Sequence, residues 1–127
     1  MSFRSPLGSV LGLGAGGGSQ HWWLQRVTAV ALVPLGAWFV IALALLPGGD
    51  YGTAHAWLAL PLHAVLTSLL VVAATLHSWL GVTVIVEDYV AGKARRFAAL
   101  LVLQFLHVAV GAAALFAVLK VALGSAA

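Results

Sequence analysis

Apolar residues fill the chain in three long runs, and most of the few charges fall between them or at their edges. From Val27 to Leu46 no residue is charged, a run long enough for an α-helix to cross a hydrocarbon core of about 30 Å. Pro47-Gly48-Gly49-Asp50 interrupts that run with turn residues. Tyr51, His55 and Trp57 follow as an aromatic cluster of the kind that sits at a membrane interface. No charge appears between Asp50 and Glu87, which predicts a second span over residues 58–86, tilted or bent near Pro61 because it is longer than a bilayer needs. Glu87-Asp88-Tyr89 and Gly92-Lys93-Ala94-Arg95-Arg96 make a short polar connection in which the glycine stops the helix. The third span is predicted over residues 97–119, with Lys120 snorkelling at its far end. Residues 1–20 are rich in glycine and serine and lack the continuous apolar core of a signal peptide, so they read as a flexible leader. The expected fold is all-α: a three-helix transmembrane domain over residues 21–127 of an integral membrane protein.

Composition agrees with the pattern. Of 127 residues 63% are hydrophobic and 7% charged, too little polar surface to clothe a soluble globule of this size. The absence of cysteine excludes disulfides, thiolate chemistry and iron–sulfur ligation by this chain, so redox work would need a cofactor held by other side chains. The net charge of +3 does not point to nucleic acid, because the basic residues are scattered singly or in one short cluster beside apolar segments. They read as topology signals. Arg4 and Arg26 precede the first span, and Lys93, Arg95 and Arg96 lie between the second and third, whereas the opposite side holds only Lys120. This asymmetry predicts a cytoplasmic N-terminus, and an odd number of crossings puts the C-terminus on the opposite, periplasmic side; a bacterial cytoplasmic (inner) membrane is the expected location.

Within the spans, histidines are the candidates for chemistry. His77 lies ten residues before Glu87 and so roughly 15 Å into the membrane, where an imidazole needs a metal, a polar neighbour or water. A helix-to-helix hydrogen bond and metal ligation weigh equally on position alone. Gly81, one turn on and on the same face, removes bulk where a flat macrocycle could lie and shifts the balance towards ligation. His63 is fourteen residues earlier, about 1400° of helical rotation, which leaves it within roughly 40° of His77. Two stacked haems would suit that spacing, but no second helix offers histidines at a matching pair of depths, so His63 reads as a packing or interfacial residue. His107 reaches a depth close to that of His77 and is read as a polar contact between helices, with axial ligation as its alternative. His21 and His55 read as interfacial.

The polar residues at the inner ends of the spans are open to more than one reading. Glu87 and Asp88 close the second span where the helix dipole disfavours negative charge, and pairing with Lys93, Arg95 or Arg96 is the plain explanation. Tyr89 can donate a hydrogen bond to a carbonyl oxygen or serve as an aromatic-belt residue. Arg26 can mark the cytoplasmic side, face an anionic group, or do both.

Taken in order, three short elements resemble the hydrophobic membrane anchor subunit of succinate dehydrogenase. His77-Ser78-Trp79-Leu80-Gly81 is similar to that family's H-x-W-x-G element, and Asp88-Tyr89-Val90 follows eleven residues after the histidine as its D-Y-V does. His21-Trp22-Trp23-Leu24-Gln25-Arg26-Val27-Thr28-Ala29 resembles the start of its first helix, with an R-x-T-A core. The third span matches only in length and hydrophobicity. The resemblance implies that His77 is one axial ligand of a haem b and binds its iron, that Gly81 borders this cofactor, and that Arg26 lies near its propionates. It further implies that Tyr89, with Asp88 close by, binds ubiquinone. The implied partners are the cytochrome b, iron–sulfur and flavoprotein subunits, with the second haem ligand coming from the cytochrome b subunit. The chain itself would not oxidise succinate. Three alternatives stay open: a fumarate reductase-type anchor, a cytochrome holding its haem within the chain between His77 and His107, and a cofactor-free structural anchor.

Overall fold

The computed structural model describes residues 17–124. These form four helices in chain order: α1 (Gly17–Ala44), α2 (Tyr51–Ala59), α3 (Pro61–Tyr89) and α4 (Lys93–Gly124). Three of them, α1, α3 and α4, are long and apolar enough to cross a membrane. Helix α4 runs past its predicted span at both ends, α1 starts earlier but ends two residues short of its own, and α3 starts three residues late and ends three late. Helix α1 begins at Gly17, so residues 17–20 belong to its first turn, and the rest of the expected leader lies outside the described residues. Helix α4 takes in Lys93, Arg95 and Arg96 as its first turn.

The break before α3 has a local cause. Leu60 adopts φ −65° and ψ 129°, the extended conformation that a following proline imposes, and Pro61 then occupies the first turn of α3, where its missing N–H costs nothing. The bend expected in one long helix is therefore a full interruption between α2 and α3. Asp50 caps α2: its carboxylate accepts from the Thr53 N–H at 2.8 Å and from the Thr53 hydroxyl at 3.2 Å. The backbone hydrogen bond from Thr53, followed by that from its side chain, holds the Asp50 carboxyl below the usual carboxylate range. Gly92, with φ +89°, does not end α3 but precedes α4, where its carbonyl accepts from the Arg96 N–H at 3.0 Å. A side chain at that φ would be strained.

The spans stand in a row with α3 in the middle. Helix α3 packs against α1 on one side and α4 on the other, the backbones of α1 and α4 stay apart, and α2 lies against α3 and α4. Neighbours run antiparallel. Gln25 approaches Gly81, Thr28 meets His77 and Trp38 meets His63 along the α1–α3 seam, while Thr75 meets Gly111 and Ser78 meets His107 along the α3–α4 seam. A closed three-helix bundle is thus not formed. Lipid tails are as apolar as the outer faces of α1 and α4, so no hydrophobic force drives these two helices together. Burial follows the same order, with six residues buried on α3 (Ala64, Thr67, Ala73, Leu80, Thr83 and Val86), Gly111 and Val118 on α4, and Thr28 on α1.

Two hydroxyl groups on α3 turn back to their own helix, while Thr67 Oγ1 is buried without a hydrogen-bond partner among the described residues. Ser68 donates to the Ala64 carbonyl and Thr83 to the Trp79 carbonyl, both at 2.8 Å, which satisfies them without water. At the far end Trp38, Trp57 and His63 form a ring stack, with Trp57 at 5.5 Å from Trp38 and 4.5 Å from His63. This stack joins α1, α2 and α3.

Small residues let α3 and α4 approach. A Cβ placed on Gly111 would stand 3.0 Å from Thr75 Cγ2, closer than packed carbons tolerate. Gly111→Ala is expected to weaken the seam by about 1–3 kcal/mol and lower the melting temperature of the detergent-solubilised protein. Thr75→Ala in the same chain should restore most of the loss. A Gly111→Ala protein that melts with the wild type would show that the seam is not close-packed there.

Candidate functional site

The N-terminal half of α1 and the C-terminal half of α3 enclose an open groove of about 840 Å³. Helix α1 contributes His21, Trp22, Gln25 and Arg26 to it, and α3 contributes Leu80, Gly81, Val84 and Glu87. Leu80, Val84 and the Trp22 ring make apolar walls. Gly81 exposes bare backbone, and an alanine there would meet Gln25 Nε2 at an ordinary contact distance of 3.5 Å, so packing within the chain does not require the glycine. Its effect is to leave the groove wide. The Arg26 guanidinium lies 5.1 Å from the centre of the Trp22 ring, within cation–π range, and forms no ion pair among the described residues. Gln25 Oε1 is buried at this site and has no hydrogen-bond partner among the described residues. A buried polar atom in that state costs free energy unless something beyond the chain completes it.

His77 sits one turn deeper than Gly81 on α3. Its Nδ1 lies 3.0 Å from Thr28 Oγ1 across the α1–α3 seam, and its Nε2 makes no hydrogen bond among the described residues. His107 is different. Its Nδ1–H donates to the Leu103 carbonyl at 2.7 Å, and its Nε2 lies 3.1 Å from the Ser78 hydroxyl, which donates to it. Both its nitrogens are occupied, and it lies on the α4 side of the row while His77 meets α1. His63 donates from Nδ1 to the Trp57 carbonyl at 2.9 Å and lies flat against the Trp57 ring, in the packing role expected of it. Among the described residues, no group of three or more His, Asp or Glu side chains could hold a metal ion.

The end of α3 carries Glu87, Asp88 and Tyr89 into the open, with Tyr89 84% exposed. The expected pairing of the two carboxylates with Lys93, Arg95 or Arg96 is not made. Arg96 instead donates from Nε to the Val90 carbonyl at 3.3 Å, bracing the turn. Arg26 and Gly81 therefore share the groove, His77 lies a turn below it, and Asp88 and Tyr89 stand at the helix end outside its lining. Glu87, to which the resemblance gives no role, lines the groove together with His21 and Gln25. Nothing in the local sequence announces them, because the groove exists only once α1 and α3 are antiparallel neighbours.

Comparison with known proteins agrees with this architecture. The profile of succinate dehydrogenase/fumarate reductase transmembrane subunits matches residues 1–121. The chain belongs to that family. It is 33% identical over 126 residues to the succinate dehydrogenase hydrophobic membrane anchor subunit of Paracoccus denitrificans, covering 98% of this chain and 97% of the relative. The subunit of the same name from Rickettsia conorii is 31% identical over 88 residues, 68% of this chain and 70% of that one. No solved structure matches the chain significantly. As a membrane anchor subunit of succinate dehydrogenase, the protein is a multi-pass membrane component of a larger complex.

Proposed function

We propose that this anchor supplies His77 as one axial ligand of a haem b shared with the cytochrome b subunit, and that Tyr89 and Asp88 form part of a ubiquinone site at the cytoplasmic end of the row. The observation that carries this reading is the state of His77: Nδ1 is held by Thr28, Nε2 has no hydrogen-bond partner among the described residues, and the groove bordered by Gly81 and Arg26 opens one turn away. The donor set fits the group. A metal takes a neutral imidazole nitrogen, a flat macrocycle suits apolar walls beside bare backbone, and a guanidinium suits propionates. When bound, the haem supplies one-electron redox capacity. A haem held wholly within the chain is disfavoured because both nitrogens of His107 are already bonded on the other side of α3.

In this reading succinate is oxidised on the flavoprotein subunit, and electrons pass through the iron–sulfur subunit to ubiquinone at the anchor. The Tyr89 hydroxyl donates a hydrogen bond to a quinone carbonyl oxygen and stabilises negative charge developing there. Asp88, exposed at the same helix end, can carry protons in from the aqueous side. Arg26, Lys93, Arg95 and Arg96 gather at one end of the antiparallel row and Lys120 lies towards the other, which supports a cytoplasmic N-terminus and a periplasmic C-terminus in a bacterial inner membrane. A fumarate reductase-type anchor would use the same residues, and the haem midpoint potential separates the two.

His77→Leu is expected to abolish the reduced-minus-oxidised haem b band of the purified complex, while His107→Leu should preserve it. A band that survives His77→Leu means that His77 does not hold the haem, and a complex colourless even in the wild type means that the anchor is purely structural. Tyr89→Phe should keep assembly and haem but lower kcat/KM for quinone about two- to tenfold, the worth of one neutral hydrogen bond of roughly 0.5–1.5 kcal/mol. Unchanged quinone kinetics would remove Tyr89 from the site.

A further inference from the structure

Thr28 is 6% exposed, and its hydroxyl oxygen has three neighbours: the Leu24 carbonyl at 2.9 Å, the Gln25 carbonyl at 3.1 Å and His77 Nδ1 at 3.0 Å. One hydroxyl proton must serve them. The two carbonyls can only accept, and helical threonines commonly turn their proton to such carbonyls one turn back. With the proton directed there, the oxygen offers His77 only lone pairs, so the bond across the seam runs from Nδ1–H to Oγ1. An imidazole protonated on Nδ1 carries its free lone pair on Nε2, the form in which it ligates a metal. Burial of Thr28 keeps water from replacing the acceptor.

We propose that Thr28 is a positioning residue that sets the tautomer and ring orientation of His77; this rests on the assignment of His77 as the haem ligand made above. Thr28 touches neither haem nor quinone in this role. It acts by holding Nδ1–H, which leaves Nε2 ready for iron, fixes the ring plane against α1 and makes the imidazole a stronger electron donor. Such partners of ligating histidines typically change cofactor affinity by about 10- to 100-fold when removed. A stronger donor favours the oxidised, more positively charged iron, so removing the acceptor should raise the haem midpoint potential.

The test compares Thr28→Val, Thr28→Ser and His77→Leu in the complex purified from membranes, read by haem content, redox titration of the haem b band and the electron paramagnetic resonance spectrum of the oxidised haem. Valine keeps the shape and deletes the acceptor. Serine keeps the acceptor. The expected result is a higher midpoint potential, an altered resonance spectrum and about 10- to 100-fold weaker haem retention in Thr28→Val, with wild-type potential and spectrum in Thr28→Ser. If Thr28→Val keeps the wild-type potential and spectrum while His77→Leu loses the haem, the positioning role is overturned and the ligand assignment stands. Equal defects in Thr28→Val and Thr28→Ser would reduce Thr28 to a packing residue and also overturn the proposal. If His77→Leu retains the haem, the ligand assignment falls and the role of Thr28 falls with it.

Discussion

Two consecutive residues of α3 tie the row together. His77 reaches Thr28 on α1, and Ser78, about 100° further round the helix, reaches His107 on α4. Both contacts lie at one level of the central helix and cross its two seams. In lipid, packing contacts and a few polar contacts of this kind, each worth about 1 kcal/mol, must hold helices together without help from a hydrophobic driving force. The same level carries the close approach of Thr75 to Gly111, so polar bonding and tight packing coincide in one layer. This arrangement also divides labour between the two imidazoles: the α4 contact uses both nitrogens of His107, whereas the α1 contact uses one nitrogen of His77.

Helix α3 can serve two neighbours because small residues recur along it. Ala64, Thr67, Ala73 and Thr83 are buried there, and their short side chains let α1 and α4 come close on either side. The outer helices bury almost nothing. Their exposed residues, such as Val30, Val33 and Val40 on α1 and Phe105, Val108 and Phe116 on α4, are suited to lipid or to another apolar helix. A row of this kind is an incomplete object by design, with two broad faces open, and its family membership as an anchor within a multi-subunit complex accounts for that openness.

The two ends of the row differ in chemistry. One is closed by the Trp38–Trp57–His63 stack, in which His63 donates to the Trp57 carbonyl, and by the Asp50 cap, bonded to Thr53. The other carries Glu87 and Asp88 at the C-terminus of α3 and Lys93, Arg95 and Arg96 at the N-terminus of α4, each set placed against its helix dipole and without an ion pair among the described residues. Glu87, Asp88, Lys93 and Arg95 are exposed, and Arg96 is half-buried. That end also holds the groove, the exposed Tyr89 and Gln25 Oε1, which is buried without a hydrogen-bond partner among the described residues; Thr67 Oγ1, in the other half of α3, is in the same state.

The three spans, the turns that separate them and the interest of His77 and Tyr89 were readable from the amino-acid order. Transfer of an uncharged run into lipid is a property of the run itself, and Pro61 and Gly92 act on their own backbone. The helix boundaries moved because polar residues such as Lys93 and Gln20 continue a helix as readily as they end a hydrophobic stretch. Tertiary structure alone decided that the helices form an open row, that Thr28 is the partner of His77, that His107 is fully bonded, and that Gln25 and Glu87 join the groove. The physical reason is that these spans are apolar on every side. A helix without a polar stripe gives no sign of which face will pack, so the pairing of faces, and every site built across a seam, emerges only when the helices meet.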